Sequence, residues 1–286
     1  MKGLVTKKIA DNFEVAFDNF KGNFTPRGTL KKDGIFVGDF VEVDPNTKTI
    51  EKVYERKNLL VRPTFANLSA LVIVIAPIPK PDFAVVDKLM LFCHASAIEP
   101  ILCVNKIDLA DELFLQSIKS AYGFAKVFFV SAKNGQNLQQ LHEHLKGHIS
   151  AFAGQSAVGK SALVHAMFPN ANVQIGELSK KIERGKHTTR HVELFELEQN
   201  TFLADTPGFS RLDEKYLPID FDQLRYFYPD FLSFHEKCKY KSCTHTKERT
   251  GECGVKSAVE QGKLNKGRYE RYVNIFNILK KEQEYA

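Results

Sequence analysis

Gly154-Gln155-Ser156-Ala157-Val158-Gly159-Lys160-Ser161 is the stretch from which the fold of this chain can be read. It has the spacing G-x-x-x-x-G-K-S. The glycines let the backbone wrap a phosphate and aim several N–H groups at it. The pattern predicts that Lys160 reaches the β- and γ-phosphates of a nucleoside triphosphate. It also predicts that Ser161 holds Mg²⁺ through its hydroxyl, with Ala162 closing the contact stretch. Ile149-Ser150-Ala151-Phe152-Ala153 before it reads as a buried strand, and Ala162-Leu163-Val164-His165-Ala166-Met167-Phe168 after it reads as a helix. Strand, glycine loop and helix are the context that such a loop requires.

Asn105-Lys106-Ile107-Asp108 lies about fifty residues upstream of this loop, at the end of the apolar run Pro100-Ile101-Leu102-Cys103-Val104. A carboxylate at Asp108 can accept from guanine N1–H and from the 2-amino group. Adenine offers neither donor and would leave the carboxylate unpaired. Lys106 can lay its stem over the base, and Asn105 can tie the loop to its neighbours. Ser131-Ala132-Lys133, just past the next strand, is placed like a second guanine-contacting loop. Downstream, Asp205-Thr206-Pro207-Gly208 follows the strand Thr201-Phe202-Leu203-Ala204. There Asp205 suits an outer carboxylate for Mg²⁺, and the Gly208 N–H suits a γ-phosphate sensor. Gly185-Lys186-His187-Thr188-Thr189-Arg190 lies between the phosphate motifs, where either Thr188 or Thr189 can close over the metal. Phe209 stands where many GTPases place the glutamine that orients water. His187 is the candidate to take over that task, because a loop histidine accepts a proton near neutral pH. Slow intrinsic hydrolysis, accelerated by a partner, is the expectation.

The order of these motifs is reversed relative to ordinary GTPases, in which the phosphate loop comes first. The reversal predicts a circularly permuted domain over residues 63–213. Within it, Ala70-Leu71-Val72-Ile73-Val74-Ile75-Ala76 reads as a strand buried on both faces. Helical stretches over 83–96, 110–122 and 137–147 alternate with strands, as in a mostly parallel sheet. Residues 192–206 read as a hairpin about Glu198-Gln199-Asn200.

The flanks differ from this centre. Residues 1–62 hold short strands, such as Val37 to Val43 and Thr49 to Val53, separated by Asp44-Pro45-Asn46. They predict a small all-β barrel, an oligonucleotide-binding (OB) fold in the first place and an SH3-like barrel as the alternative. Residues 214–286 predict a mostly helical domain. Each flank carries a surplus of three cationic side chains (12 Lys+Arg against 9 Asp+Glu, and 14 against 11), whereas the centre balances at 14 of each. Basic flanks suit an RNA partner. The 286 residues, 43% hydrophobic with 23 Phe, exclude a disordered chain. No apolar run reaches about eighteen residues, and Met1-Lys2-Gly3-Leu4-Val5 lacks a signal-peptide pattern, so a cytoplasmic protein without a membrane partner is expected.

Three of the five cysteines fall in Cys238-x4-Cys243-x-His245-x7-Cys253, a Cys₃His set suited to one structural, tetrahedral Zn²⁺. Lys237, Lys239, Lys241 and Lys247 surround it. Cys93 and Cys103 sit in apolar runs and are expected in the core.

Taken in order, these motifs resemble the bacterial ribosome small-subunit-dependent GTPase A (RsgA/YjeQ) family over nearly the whole chain, with Arg27-Gly28-Thr29-Leu30 and Val37-Gly38-Asp39 similar to its barrel domain. The resemblance implies an OB fold, a permuted P-loop GTPase and a zinc-containing helical domain. It implies GTP and GDP as ligands, the small ribosomal subunit and its rRNA as partner, and hydrolysis stimulated by that subunit late in assembly. A hydrophobic replacement for the catalytic glutamine (Phe209) and a catalytic role for His187, beside Lys160, Thr188 and Thr189, are likewise implied. There are two departures. Ala157 stands where the family often has Gly, and the His245–Cys253 spacing is two residues longer than typical, which makes His235 the reserve ligand. A monomer is expected. A GTPase acting on another RNA or protein, and a GTP sensor without turnover, are the alternatives.

Overall fold

The computed structural model describes residues 1–17, 20–28, 30, 34–61, 64–171, 192–205 and 217–284. Thr29, the 185–190 loop, Thr206, Pro207, Gly208 and Phe209 lie outside these. So does the side chain of Asp205.

Strands β1 (Lys2–Ile9), β2 (Asn12–Ala16), β3 (Lys21–Pro26), β4 (Phe40–Asp44) and β5 (Thr49–Val53) run in the order β1-β2-β3-β5-β4, and β4 pairs back onto β1 to close a barrel. The β3–β5 pairing is parallel (Thr25 opposite Thr49) and the other pairings are antiparallel. That connectivity is the OB order, which decides against the SH3-like alternative. Alternation fills the barrel: Val5, Phe13, Val15, Phe24, Val41, Val43 and Ile50 are buried together. The strand anticipated from Val37 starts at Phe40 instead. Gly38 adopts φ 92°, and a Cβ there would strike the Ala66 carbonyl, so the chain turns before it can pair.

A short ribbon, β6 (Leu59–Val61) and β7 (Thr64–Ala66), leads into the second module. Its elements are β8 (Ala70–Ile75), α1 (Phe83–Ala95), β9 (Glu99–Val104), α2 (Glu112–Tyr122), β10 (Lys126–Phe129), α3 (Leu138–Leu145), β11 (Ile149–Ala153), α4 (Lys160–Met167), β12 (Glu193–Glu198) and β13 (Thr201–Asp205). The strand order is β10-β9-β8-β11-β13-β12, parallel except for β12. β11, which carries the phosphate loop, is therefore central. Its neighbours on one side come earlier in the chain and those on the other side come later, as a circular permutation requires. Every residue of β8 is buried because the sheet is covered on both faces. Leu71, Ile73 and Ile75 join one apolar cluster, and Ala70, Val72 and Val74 join the other. Cys93 and Cys103 are buried in these cores. β12 also pairs with β1 (Lys7 opposite Glu193), so barrel and sheet are continuous through that contact.

The C-terminal part holds α5 (Pro229–His235), α6 (Gly254–Glu260) and α7 (Lys266–Glu284). Tyr228 and Phe231 pack on Tyr272 at ring separations of 4.9 and 5.2 Å. Tyr272, Ile275, Phe276 and Leu279 of α7 share one apolar cluster with Val86, Leu89 and Met90 of α1. No described helix is long and apolar enough to cross a membrane.

Candidate functional site

Parallel strands aim their carboxyl ends at one edge of the sheet, where α/β folds bind ligands. The loops named from the sequence gather there. The phosphate loop runs from Ala153 at the end of β11 to Lys160, the first residue of α4. Gly154 has φ 136° and Gly159 has φ 96°. A Cβ on Gly154 would fall on the Val74 carbonyl oxygen, and one on Gly159 on the Asn105 amide nitrogen. Only glycine fits at either end of this cradle. The Lys160 ammonium donates to the carbonyls of Gly154 (2.9 Å) and Gln155 (2.8 Å), so a cation stands at the loop, as phosphate binding requires.

Asn105 directly follows β9, is 1% exposed, and joins three loops. Its Nδ2 donates to the Val158 carbonyl (2.9 Å) and its Oδ1 accepts from the Ala132 N–H (3.0 Å). Lys106, at φ 60°, folds its ammonium onto the carbonyls of Ala157 (2.6 Å) and Ile78 (3.0 Å). Buried Ser131 donates its hydroxyl to Asp108 Oδ1 at 2.6 Å, which fixes the carboxylate that would meet a purine. The structure therefore brings Asn105, Lys106, Asp108, Ser131 and Ala132 to the phosphate loop. Ser161 is the second residue of α4, and Asp205 ends β13, the strand next to β11. His187, Thr188, Thr189 and Gly208 fall outside the described residues.

Two contacts had no signal in the sequence. The backbone N–H of Asp82 donates to Gln155 Oε1 (3.1 Å), and the Ile78 carbonyl receives Lys106. Both lie in the β8–α1 loop, whose Pro77-Ile78-Pro79-Lys80-Pro81 run predicts only irregular backbone.

The second donor cluster is Cys238, Cys243, His245 and Cys253, whose ligand atoms all lie within 4.8 Å of one another. His245 Nδ1 stands 3.6, 3.3 and 3.4 Å from the three sulfurs in that order. These match the edge of about 3.5 Å that Zn–S and Zn–N bonds make in a tetrahedron. Gly254 and Lys256 aim backbone N–H groups at Cys238 Sγ (3.3 Å) and Cys253 Sγ (3.4 Å), as thiolates require. Burial pushes the Cys243 and Cys253 thiols up and the His245 imidazole down to about 4. Burial thus favours the neutral forms of Cys243, Cys253 and His245, and a dication is what would ionise the two thiols. The long spacing to Cys253 is taken up by the 3-10 turn Thr250–Glu252, after which Cys253 caps α6. His235 is not one of the converging donors. Its Nδ1 sits 3.1 Å from His245 Nε2, on the outer side of the ring. The reserve ligand thus becomes an orienting partner for His245, the usual place for an outer group at a metal-binding histidine.

Residues 53–215 match the RsgA GTPase family. A protein of Clostridium beijerinckii named small ribosomal subunit biogenesis GTPase RsgA is 38% identical over 293 residues, covering 99% of each chain. A protein of the same name from Ruminiclostridium cellulolyticum is 35% identical, over 99% of this chain and 95% of its own. Among solved structures, YjeQ from Thermotoga maritima superposes with a TM-score of 0.81 at 31% identity, covering 97% of this chain and 98% of its own. YloQ, described as a circularly permuted GTPase, gives 0.78 at 28% identity, covering 98% and 95%.

Proposed function

The chain belongs to the RsgA GTPase family, and from that premise we propose that it binds the small ribosomal subunit in the cytoplasm and hydrolyses GTP as a timed step in that subunit's maturation. The observation that carries this reading is Asn105, which holds a guanine-type loop and a phosphate loop together at one sheet edge. In the proposed roles, Asp108, oriented by Ser131, accepts from guanine N1–H and the 2-amino group. Ile107 and Lys133 flank the base with Lys106. The backbone from Gly154 to Ala162, including Ser156 and Val158, wraps the phosphates. Lys160 exchanges its two carbonyl partners for the β- and γ-phosphates. Ser161 and either Thr188 or Thr189 would hold Mg²⁺, with Asp205 as an outer carboxylate behind them. When bound, that ion neutralises charge developing on the phosphates. His187 orients the attacking water, and Gly208 senses the γ-phosphate.

Zn²⁺ is the proposed occupant of the Cys238, Cys243, His245 and Cys253 set, where it would fix the C-terminal fold. Cations lie over aromatic rings on both flanking modules: Lys2 over Phe40 and Tyr54, Arg225 over Tyr226, and Lys239 over Tyr240. Such pairs suit contact with rRNA through phosphates and base faces. Turnover of GTP measured with and without purified small subunits tests the reading. A rate raised by small subunits and abolished in Lys160→Ala is the expected result. A rate indifferent to them, or absent with them, rejects it.

A further inference from the structure

Asp87 lies on α1, has a fully buried carboxylate, and has no part in the nucleotide chemistry above. One of its oxygens accepts from Arg268 Nη1 (2.7 Å) and from the Tyr122 hydroxyl (2.8 Å). The other accepts from Arg271 Nε. Arg268 is 2% exposed and forks onto Asp230 of α5 through Nε (2.8 Å) and Nη2 (3.1 Å). Its guanidinium lies over the rings of Phe124 (4.4 Å) and Tyr228 (4.7 Å). A buried carboxylate held by three donors has one arrangement and no water to fall back on, so it fixes the height and rotation of the helix that carries it.

Both ends of this clamp lead to a site. Toward the nucleotide, the Asp82 side chain caps α1 by accepting from the N–H groups of Ala84 and Val85. The Asp82 backbone touches Gln155 in the phosphate loop, and Ile78, in the same β8–α1 loop, holds Lys106. Toward the metal cluster, α5 carries Asp230 in its first turn and His235 as its last residue, the latter against His245. From α7, Tyr269 and Tyr272 donate to the carbonyls of His245 and Thr244, at 2.7 Å each.

We infer that Asp87 is a positioning residue for the nucleotide site. Clamped by α5 and α7, it holds α1 where Asp82 and Ile78 meet the nucleotide loops, and it makes nucleotide affinity depend on the state of the metal cluster. The inference rests on the nucleotide reading of residues 154–161. Linkage requires the dependence to run both ways, so bound nucleotide also raises the affinity for the metal by the same factor.

The test is release of a fluorescent GDP from the full chain, loaded with zinc or stripped by a chelator. Stripping should speed release from the wild type about three- to tenfold. Arg271→Gln should release about three- to tenfold faster even when loaded, and stripping should add nothing. Arg271→Lys should recover part of the loss. The Arg271 side chain is 22% exposed, so its replacement leaves the core filled. If that variant does not fold, Tyr122→Phe removes one hydroxyl from the same carboxylate and carries the same expectation. A variant that melts at lower temperature but keeps the full response to stripping shows a merely structural role and overturns the inference. GDP release indifferent to both perturbations overturns it alone, whereas a wild type that binds no GDP overturns the nucleotide reading with it.

Discussion

Ala157 carries the clearest strain in the phosphate loop. Its φ of 65° lies in the left-handed region, where a Cβ crowds the following carbonyl at a cost of roughly 1–2 kcal/mol. Its carbonyl holds the Lys106 ammonium, and Lys106 is itself at φ 60°, so two left-handed residues brace each other across the site. Strain of this kind persists where the surroundings over-determine it. The substitution series at this position has a definite order. Ala157→Gly relieves the strain but loosens the unfolded chain by about 0.4–1 kcal/mol, leaving it neutral or stabilising by up to about 1.6 kcal/mol. Ala157→Val adds a branched Cβ in the same region and should destabilise by about 1–2 kcal/mol. Urea denaturation of the three proteins reads the order, and a valine variant as stable as the glycine one would contradict the strain. This residue was legible in the sequence as a departure from the usual glycine, but its cost was not, because a backbone angle is set by what the loop touches.

Among the elements, α1 sets the link between the modules. Its last turn holds His94, whose Nε2 is buried with no hydrogen-bond partner among the described residues. Burial, then the nearby Arg268 charge, hold its pKa below the ordinary value of 6.5. The folded protein therefore keeps His94 neutral where the unfolded chain takes up a proton. Its contribution is fully present above about pH 6.5 and is lost as pH falls from there toward the lower folded value. His94→Asn should flatten part of that acid slope in stability measured between pH 7 and about 5. His235 and His245, also held low by burial, add to the same slope. An unchanged slope would show that His94 titrates normally. The elements themselves were largely readable. Thr49–Val53, Ile149–Ala153 and the hairpin about Gln199 fall where period and turn residues put them. What could not be read is which elements meet. Asp87 and Arg268 are 181 residues apart, and each alone looks like an ordinary charge on an amphipathic helix. The nucleotide loops were legible because their chemistry is local and their spacing short. The Asp82–Gln155 contact was not, since a backbone N–H leaves no mark in a sequence.

For the whole molecule, the order β10-β9-β8-β11-β13-β12 governs more than the site. A chain made from its N-terminus reaches the barrel first, then β8, β9 and β10, and only afterwards β11. Until residues 149–153 leave the synthesising ribosome, β8 has β9 on one side and a bare row of N–H and C=O groups on the other. Such an apolar open edge is a template for wrong pairing. A fragment ending at residue 171 leaves β11 with the same bare edge and should therefore aggregate, while one ending at residue 205, with β13 on β11 and β12 on β1, should stay dispersed in light scattering at equal concentration. Equal behaviour of the two fragments would show that the barrel alone protects the edge. The permuted chain thus has a vulnerable interval in its own synthesis. The open edge passes from β8 to β11 when residues 149–153 arrive and closes only when β13 pairs with β11 and β12 with β1, so that the strand sealing the edge beside the phosphate loop is the one that ends in Asp205.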